Sequence, residues 1–458
     1  MNKLFLLITV ILIASNVAAS SSVNIKKYGA KADGKTLNTA AINTAIEACA
    51  NQGGGTVVIP SGVYLTGTIH LKSHVSLYLE EGAVIKGTSD LDLYQSYDPV
   101  QKEAKYDSSY GRWNRALILG VGVENVAITG DGIIDGNHVF DSEGEENMRG
   151  PHTILMGESR NLILSNVIIN RSANYAFMAY GIENAVFQNL TFNEGWDGIH
   201  IRGGKNININ NSKFYTGDDA IAGGYWENML ISDCYVNSSC NGIRVIMPAT
   251  NLTIARCTFE GPGKFSHRTS KELNRKNMLS AILLQPGGWS LAPGKMDNVH
   301  IHDINISNLD NPFMFILNRG NESNEILVER VKATGINKSA CSIESWKGGS
   351  YGAVTFRDVS IEYVGHNDPE LKNLTAGQPH VDSRVLPCWG WFVRNVRQLT
   401  FENVEIRYTG VEVRPAFCFD NVGEVTFKQV RYKNVPDTES IISQNSGEIK
   451  GTETMIAE

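Results

Sequence analysis

Residues 161–254 repeat one short pattern five times: Asn161-Leu-Ile-Leu, Asn184-Ala-Val-Phe, Asn206-Ile-Asn-Ile, Asn228-Met-Leu-Ile and Asn251-Leu-Thr-Ile. The intervals between the asparagines are 23, 22, 22 and 23 residues. Short strands at this period are typical of the coils of a parallel β-helix, in which each coil buries its apolar face by stacking on the next. Asparagine suits the turns because it tolerates left-handed backbone angles. The pattern therefore predicts an all-β solenoid.

Weaker copies of the pattern extend the solenoid in both directions, from Asn125-Val-Ala-Ile to Glu424-Val-Thr-Phe. Insertions interrupt it at about 88–115, 137–151, 261–278, 287–296 and 364–388, and we expect them to form loops that gather on a binding face. Residues 37–51 are Ala-rich with Ile at four-residue spacing, which predicts a helix that caps the N-terminal end of the sheet. Residues 437–458 are polar and are predicted to be a frayed or added tail.

Composition and charge restrict the partners. Of 458 residues, 41 are Lys or Arg and 48 are Asp or Glu, a net charge of −7 that argues against nucleic acid. Residues 1–19 are typical of a cleavable secretory signal, and no later stretch is long and apolar enough for a membrane span. We therefore predict one β-helix domain over residues 20–458, located in a periplasm or outside the cell. The sequence does not indicate an oligomeric state.

Seven cysteines are present, at positions 49, 234, 240, 257, 341, 388 and 418. Their spacings match no zinc pattern. Cys234 and Cys257 occupy the same place in successive repeats, so they are predicted to be neighbours, either as a disulfide or as two reduced core thiols.

Three acids are expected to meet on one face. Asp197 and Asp219 are 22 residues apart, and 22 more lead to Asn241, so stacked coils would put these three positions in one column roughly 5 Å apart per coil. Asp218 adjoins Asp219 and should point differently. Crowded carboxylates repel each other, and this repulsion raises the pKa of one of them, as acid catalysis requires.

Neighbouring residues suggest a site that binds a ligand. Gly198, Gly217 and Gly242 flank the column and are predicted to leave room for a ligand near the backbone. The flat rings of the Trp and Tyr residues near the column suit stacking on sugars. The basic segment 264–276 is either a solvated loop or a site for an anionic sugar. The candidate substrate-binding residues are Asn241, Arg244, Trp196, His200, Arg202, Trp226, Gln285 and Trp289, with Tyr225 and His152 as further candidates near the same cleft.

Hydrolysis of a glycosidic bond needs carboxyl groups in such an arrangement. One carboxylic acid protonates the leaving oxygen, and one or two carboxylates activate water or attack directly. Asp-Gly and Gly-Asp-Asp are also common in turns, and stacked acids can bind calcium. Catalysis and a structural role therefore remain open on spacing alone.

The motifs Trp196-Asp-Gly-Ile and Gly217-Asp-Asp-Ala-Ile, one coil apart, resemble the catalytic signature of the polygalacturonases, glycoside hydrolase family 28. Val23-Asn-Ile-Lys-Lys-Tyr-Gly, Gly132-Ile-Ile-Asp-Gly and Arg414-Pro-Ala-Phe are similar to that family as well, so the resemblance covers most of the chain. It implies a right-handed parallel β-helix and an inverting reaction. It also implies Asp218 as the general acid, with Asp197 and Asp219 holding and deprotonating the water.

Two departures from the family pattern concern the substrate. The family's Gly-His-Gly should fall at Cys240-Asn-Gly, and its Arg-Ile-Lys, which grips a galacturonate carboxylate, should fall at Leu283-Leu-Gln. An apolar residue and an amide cannot pair a buried carboxylate. Plain homogalacturonan is therefore not the predicted substrate, although rhamnogalacturonan-cleaving relatives also lack the histidine.

The sequence thus predicts a secreted glycoside hydrolase that acts on a pectin-like cell-wall polysaccharide or its oligosaccharides, without cofactor or metal. A polysaccharide lyase, with Arg244 as the base, and a non-catalytic glycan-binding β-helix are the alternatives. Shared protonation of the three acids predicts a broad acidic-to-neutral pH optimum.

Overall fold

The computed structural model describes residues 22–97, 110–268 and 274–456, so the predicted signal segment lies outside the described residues. The strands in the described ranges are β1 (Ser22–Asn24), β2 (Asp33–Leu37), β3 (Gly55–Ile59), β4 (Gly62–Thr66), β5 (Ile69–His70), β6 (Val75–Leu79), β7 (Ala83–Gly87), β8 (Gln95–Ser96), β9 (Arg115–Val121), β10 (Glu124–Gly130), β11 (Ile133–Asp135), β12 (His152–Gly157), β13 (Arg160–Ser165), β14 (Ile168–Asn170), β15 (Phe177–Gln188), β16 (Thr191–Asn193), β17 (Ile199–Asn210), β18 (Lys213–Tyr215), β19 (Ile221–Ser232), β20 (Tyr235–Val236), β21 (Asn241–Val245), β22 (Ala249–Ala255), β23 (Thr258–Glu260), β24 (Ser280–Leu284), β25 (Gly294–Ser307), β26 (Phe313–Leu317), β27 (Asn321–Ile336), β28 (Cys341–Ser345), β29 (Ser350–Tyr363), β30 (Trp391–Arg394), β31 (Val396–Tyr408), β32 (Phe417–Asp420), β33 (Glu424–Lys433), β34 (Ile441–Gln444) and β35 (Ile449–Ile456).

The strands form a right-handed parallel β-helix with three faces, as predicted. The first face stacks β5, β9, β12, β15, β17, β19, β21, β24, β26, β28, β30, β32 and β34 in parallel. The second face continues from β3 through β6, β10 and β13 to β35, and long strands such as β17 bend from the first face into the second. Short strands such as β14, β16 and β18 form the third face.

The recurring asparagine explains the period. Asn161, Asn184, Asn206 and Asn228 all have φ between 55° and 57° and lie where the first face turns into the second. Each donates its side-chain N–H to the Oδ1 of the asparagine one coil earlier, over 2.8–3.1 Å from Asn161 to Asn251. Left-handed backbone is unfavourable for most side chains but not for asparagine. The ladder therefore fixes both the turn and the register.

A helix covers the N-terminal end of the solenoid. The helix α1 (Thr39–Asn51) buries Ile42, Ala45, Ile46 and Cys49 against the first coils, as predicted. A second helix, α2, is one turn (Tyr110–Trp113), and 3₁₀ turns occur at Ile25–Tyr28, Leu91–Leu93, Glu145–Asn147 and Pro369–Asn373. The prediction of a frayed tail is wrong for residues 441–456, because β34 and β35 pair with β32 and β33 as a last coil. Within the described ranges, no helix is long and apolar enough to cross a membrane.

The seven cysteines are buried, and none of them is bonded in a disulfide in the structure. Cys234 and Cys257 do contact each other one coil apart, and Cys388 and Cys418 make a second such pair. Of the two alternatives for Cys234 and Cys257, the structure therefore has the reduced core thiols.

Candidate active site

Stacking of the coils places the acids in a column next to the first residues of the first-face strands. Asp197 and Asp219 each lie two residues before a first-face strand, and Asn241 begins the next one. The Asp219 N–H donates to Asp197 Oδ1 over 3.2 Å. Asn241 donates its backbone N–H and its Nδ2–H to Asp219 Oδ1 over 3.0 and 2.9 Å. The column thus follows from the 22-residue period.

Asp218 completes a group of three carboxylates whose oxygens lie within 4.8 Å of one another. It points away from the column, toward Arg149 at 3.4 Å and His267 at 3.4 Å. Its side chain is 13% exposed, while those of Asp197 and Asp219 are 4% and 7% exposed. Asp218 is therefore the acid most accessible to a ligand.

His200 supports Asp197. Its Nδ1 lies 2.7 Å from Asp197 Oδ2, and Arg202 Nε donates to its Nε2 over 3.2 Å. Because a guanidinium only donates, Nε2 must accept, which leaves the proton on Nδ1 to be donated to Asp197. Burial and the charge of Arg202 hold the pKa of His200 well below its usual value, so the ring is neutral. The Tyr175 ring stacks on it at 4.7 Å.

Burial and mutual repulsion divide the acids into two kinds. Burial, with the charges of Asp218 and Asp219, raises the pKa of Asp197 well above its usual value. Burial also raises the pKa of Asp219, against the opposing charge of Arg244. For Asp218, burial acts in the same direction but is outweighed by the His267 hydrogen bond and by the charges of His267, Arg149 and Arg244, so its pKa is lowered. A proton shared by the three acids in the resting site therefore lies on the Asp197–Asp219 side rather than on Asp218.

Trp196 and Trp226 do not stack on a ligand, and those two predictions are wrong. The Trp196 ring is buried under the Arg149 guanidinium at 3.8 Å and donates its N–H to the Ala173 carbonyl. Trp226 lies in the core and donates its N–H to the Ile201 carbonyl over 2.9 Å. The left-handed turn at Tyr225, which leaves Tyr225 exposed, directs Trp226 inward.

Arg244 joins the acids to the insertion 364–388. It lies 3.6 Å from Asp219 Oδ2, and it donates to the Val381 carbonyl over 2.8 Å. Its guanidinium also lies 5.3 Å from the ring centre of Trp289, which is 51% exposed. Trp289 therefore remains a candidate sugar platform beside the acids.

The segment 374–388, here named the strap, covers the first face beyond Arg244. Gln285 is buried and donates to the His380 carbonyl over 2.7 Å, so the predicted contact with substrate is replaced by a contact with the strap. Arg384 makes two hydrogen bonds, of 2.9 and 2.7 Å, to the fully buried Glu344. Ser383 donates to the Leu279 carbonyl. These contacts hold the strap against the sheet.

The other end of the face is also covered. Tyr97 and Trp113 pack on the outward side chains of Leu155, Met178 and Tyr180. His152 is fully buried against Trp113, and burial lowers its pKa to about 3, so it does not line the cleft as predicted. The accessible part of the first face is therefore short and centred on the acids.

The glycines beside the column have an internal role. A Cβ on Gly198 would meet the Ala220 carbonyl at 2.6 Å and the Phe214 ring at 2.7 Å, and one on Gly242 would meet the Ala281 carbonyl at 2.4 Å. A Cβ on Gly217 would meet the Gly195 carbonyl at 2.4 Å. They permit close packing of coils rather than approach of a ligand.

Sequence reasoning missed Arg149 and His267 as partners of Asp218, and it missed the strap. Arg149 and His267 lie on insertions that were recognised, at 137–151 and 261–278, but their targets are distant in sequence. In the part of the chain that the structure describes, two groups of side chains have the spacing to hold a cation: Asp197 with Asp218 and Asp219, and Asp218 with Cys240 and His267.

The chain is similar in sequence and in fold to several known proteins. Residues 22–244 match the family described as "Rhamnogalacturonase A/epimerase, pectate lyase-like". An exo-poly-alpha-D-galacturonosidase of Dickeya chrysanthemi is 29% identical over 257 residues, 45% of this chain and 42% of that protein. The chain thus spans about half the length of the curated relatives that it matches first.

Solved structures show the same fold. The family 28 exopolygalacturonase of Yersinia enterocolitica is 16% identical with a TM-score of 0.57, covering 95% of this chain and 79% of that one. PfbA, a surface adhesin of Streptococcus pneumoniae, is 17% identical with a TM-score of 0.51, covering 95% and 94%. At these identities the likeness concerns the fold alone.

Proposed function

We propose that this chain is a glycoside hydrolase, because it is a β-helix protein similar to the polygalacturonases and to glycoside hydrolase family 28. Its substrate is a pectin-type polysaccharide or the oligosaccharides derived from it. The observation that carries this proposal is the group of three carboxylates within 4.8 Å, flanked by two guanidinium groups.

Asp218 is the group that protonates the leaving oxygen, as the most exposed of the three acids. Its low pKa in the resting site comes from His267, whose Nε2 lies 3.4 Å from Asp218 Oδ1. We assign the transferred proton to this Asp218–His267 pair, which delivers it to the leaving oxygen when a sugar is bound. Asp197 and Asp219 position the water and take its proton, and His200 holds Asp197 in place.

The residues that bind the negative charge of the substrate differ from those in the family pattern. Leu283 is buried among apolar side chains and Gln285 is bound to the strap, so neither pairs with a uronate carboxylate. Arg149 and Arg244 flank the acids instead, and each has a buried N–H, at Nη1 and Nε respectively, with no hydrogen-bond partner among the described residues. This arrangement supports a pectin-type substrate other than plain homogalacturonan.

The covered ends of the first face favour removal of terminal units over cutting within the chain. An internal segment of a polymer must leave the site in both directions, and here the strap lies on one side and Tyr97 and Trp113 on the other. Export from the cell is part of the proposal, since a cell-wall polymer does not enter one.

Inversion at the anomeric carbon is proposed from the resemblance, not from the spacing. General carboxyl separations are about 6.5–9.5 Å for inversion and about 5–5.5 Å for retention. The short separation seen here would by itself be typical of retention. Proton NMR of the first product formed decides: the opposite anomer supports inversion, and the same anomer contradicts it.

The lyase alternative is not supported. A lyase base must lose its proton, but although burial alone would lower the pKa of Arg244, the charges of Asp219 and its neighbours raise it above the usual value. The test of function is a screen of neutral, uronic and sulfated glycans, read by mass spectrometry. New reducing ends without ultraviolet-absorbing unsaturated ends support the hydrolase, and no turnover of any glycan supports the non-catalytic alternative.

A further inference from the structure

Three different potential metal ligands converge beside the acids. Asp218 precedes β19, Cys240 precedes β21, and His267 lies on the insertion after β23. Each offers one ligand atom, and these atoms lie within 4.8 Å of one another. Cys240 and His267 are buried, and the Asp218 side chain is 13% exposed. This group differs from an acidic cluster because it combines oxygen, sulfur and nitrogen.

We propose that Asp218, Cys240 and His267 bind a zinc-type divalent cation, and that this ion inhibits the enzyme. The ion is not a cofactor. The inhibition rests on the proposed function, whereas the binding does not.

The geometry needs little change to receive the ion. Zinc takes nitrogen and oxygen at about 2.0–2.1 Å and sulfur at about 2.3 Å, so tetrahedral ligands lie roughly 3.3–3.6 Å apart. His267 Nε2 and Asp218 Oδ1 are already 3.4 Å apart. The sulfur has to approach from no more than 4.8 Å.

The ligand types select the metal. Calcium and magnesium prefer oxygen ligands alone, whereas zinc and cobalt accept imidazole, thiolate and carboxylate together. On binding, the Cys240 S–H bond breaks, the proton goes to solvent and the sulfur bonds the metal. Three protein ligands leave a fourth position for water.

Neighbouring charges permit the ion. Arg149 lies 3.4 Å from the other oxygen of Asp218, Oδ2, and Arg244 lies 3.6 Å from Asp219. The positive charges of both arginines repel a bound metal ion. Even with one proton shared on the Asp197–Asp219 side, the thiolate and the two remaining carboxylates carry three negative charges against the two positive charges of these arginines. A metal on Oδ1 would, however, separate Asp218 from His267, and the pair would no longer deliver its proton.

The binding test uses the full chain, freed of metal by a chelator. Zinc chloride is titrated by calorimetry, and cobalt chloride by its thiolate-to-metal absorption. We expect one zinc site that Cys240→Ala and His267→Ala each weaken by at least about tenfold, and a cobalt–thiolate band that Cys240→Ala removes. Cys234→Ala is the matched control, since it alters a buried thiol outside the site, and it should bind zinc like the wild type. His267 lies on an insertion, so its variant tests the site even where the core change impairs folding.

Two results overturn the proposal: no zinc binding by the wild type, or undiminished binding by the His267→Ala variant. Activity is measured separately, as the ratio of rates with and without zinc. Zinc should lower the rate of the wild type and of Cys234→Ala much more than that of Cys240→Ala. If zinc binds as expected but no glycan is cut, the metal site is supported and the proposed hydrolase function is contradicted. If glycans are cut but zinc does not bind, the hydrolase function is supported and the metal site is contradicted.

Discussion

At the scale of single residues, Asp218 is the decisive side chain. Asp218→Asn keeps the size of the side chain but cannot carry the proton, so we expect kcat to fall by about 10²–10⁴-fold. Oligosaccharide affinity, measured by calorimetry, should remain within a few fold. The control is Asp233→Asn, which changes an exposed carboxylate paired with Arg256 and should leave kcat unchanged. Full activity of Asp218→Asn would remove Asp218 from the mechanism.

Arg244 sets the acidic side of the pH profile. Burial raises the pKa of Asp219, and Arg244 is the largest influence that opposes this rise. Without that positive charge the ionised acid is less favourable, so in Arg244→Gln the acidic limb of kcat/KM should move to higher pH. Arg256→Gln, an exposed partner of Asp233, should leave the limb in place. An unmoved or lowered limb in Arg244→Gln would contradict this coupling.

The same shift has a consequence for stability. A carboxyl with a raised pKa keeps its proton in the folded state at pH values where the unfolded chain has released it. Stability is therefore lost as pH rises from the unfolded pKa of about 3.9 through the folded pKa. In Arg244→Gln this loss should extend to higher pH, as followed by Tm across a pH series.

Prediction at the residue level succeeded for positions that the 22-residue period sets, and it failed for side chains whose direction a turn sets. Asp197, Asp219 and Asn241 stack because 22 residues separate them. Trp226 follows a left-handed residue, Tyr225, and this reverses the expected side. Nothing in the local sequence distinguishes an exposed tryptophan from one that lies under an arginine, as Trp196 does.

At the scale of one element, variants of the asparagine ladder separate two contributions to stability: the side-chain hydrogen bonds and the left-handed backbone. Asn206 has φ of 56°, donates to Asn184 and accepts from Asn228. Asn206→Ala loses two exposed hydrogen bonds, at about 0.5 kcal/mol each, and adds about 1 kcal/mol for left-handed backbone, roughly 2 kcal/mol in all. Asn206→Gly keeps the backbone freedom and should lose about 1 kcal/mol.

Urea unfolding measures both variants, with Lys205→Ala as an exposed neighbour that should change little. If the glycine variant is as unstable as the alanine variant, the backbone angle is not what selects asparagine at these turns.

The strap is the element that limits the groove. Arg384→Ala leaves the fully buried Glu344 with Trp346 as its remaining hydrogen-bond donor among the described residues. We expect the strap to detach, which makes residues 374–388 sensitive to protease and lengthens the products. Arg407→Ala, which removes an exposed ion pair with Glu362, is the control. Protease resistance and unchanged products in Arg384→Ala would show that Arg384 does not anchor the strap.

This element could not be placed from sequence. The insertion 364–388 is evident as an interruption of the repeat, but Arg244 and Val381 are 137 residues apart in the chain. Contacts of this kind depend on where a loop returns to the sheet, and no local pattern encodes that.

At the scale of the whole molecule, a solenoid offers a long groove, and this one leaves only a short part accessible. Coils stack at about 4.8 Å, so the part of the first face between its covered ends, from β17 to β21, spans roughly 10–15 Å. The sequence predicted the solenoid and the acid column because both follow from periodicity. It did not predict the length of the accessible groove, because insertions at both ends decide it.

The short groove predicts how a polymer is degraded. An enzyme that cuts internally lowers viscosity early, while one that trims ends releases small sugars and leaves viscosity nearly constant. For a pectin-type polymer that the enzyme accepts, we expect reducing ends to accumulate with little loss of viscosity, and single short products throughout the reaction. Arg384→Ala should shift this balance toward early loss of viscosity, because freeing the strap extends the groove past Arg244. An early fall in viscosity with the wild type would mean that a chain passes through the site, and that neither the strap nor Tyr97 and Trp113 close it to a bound polymer.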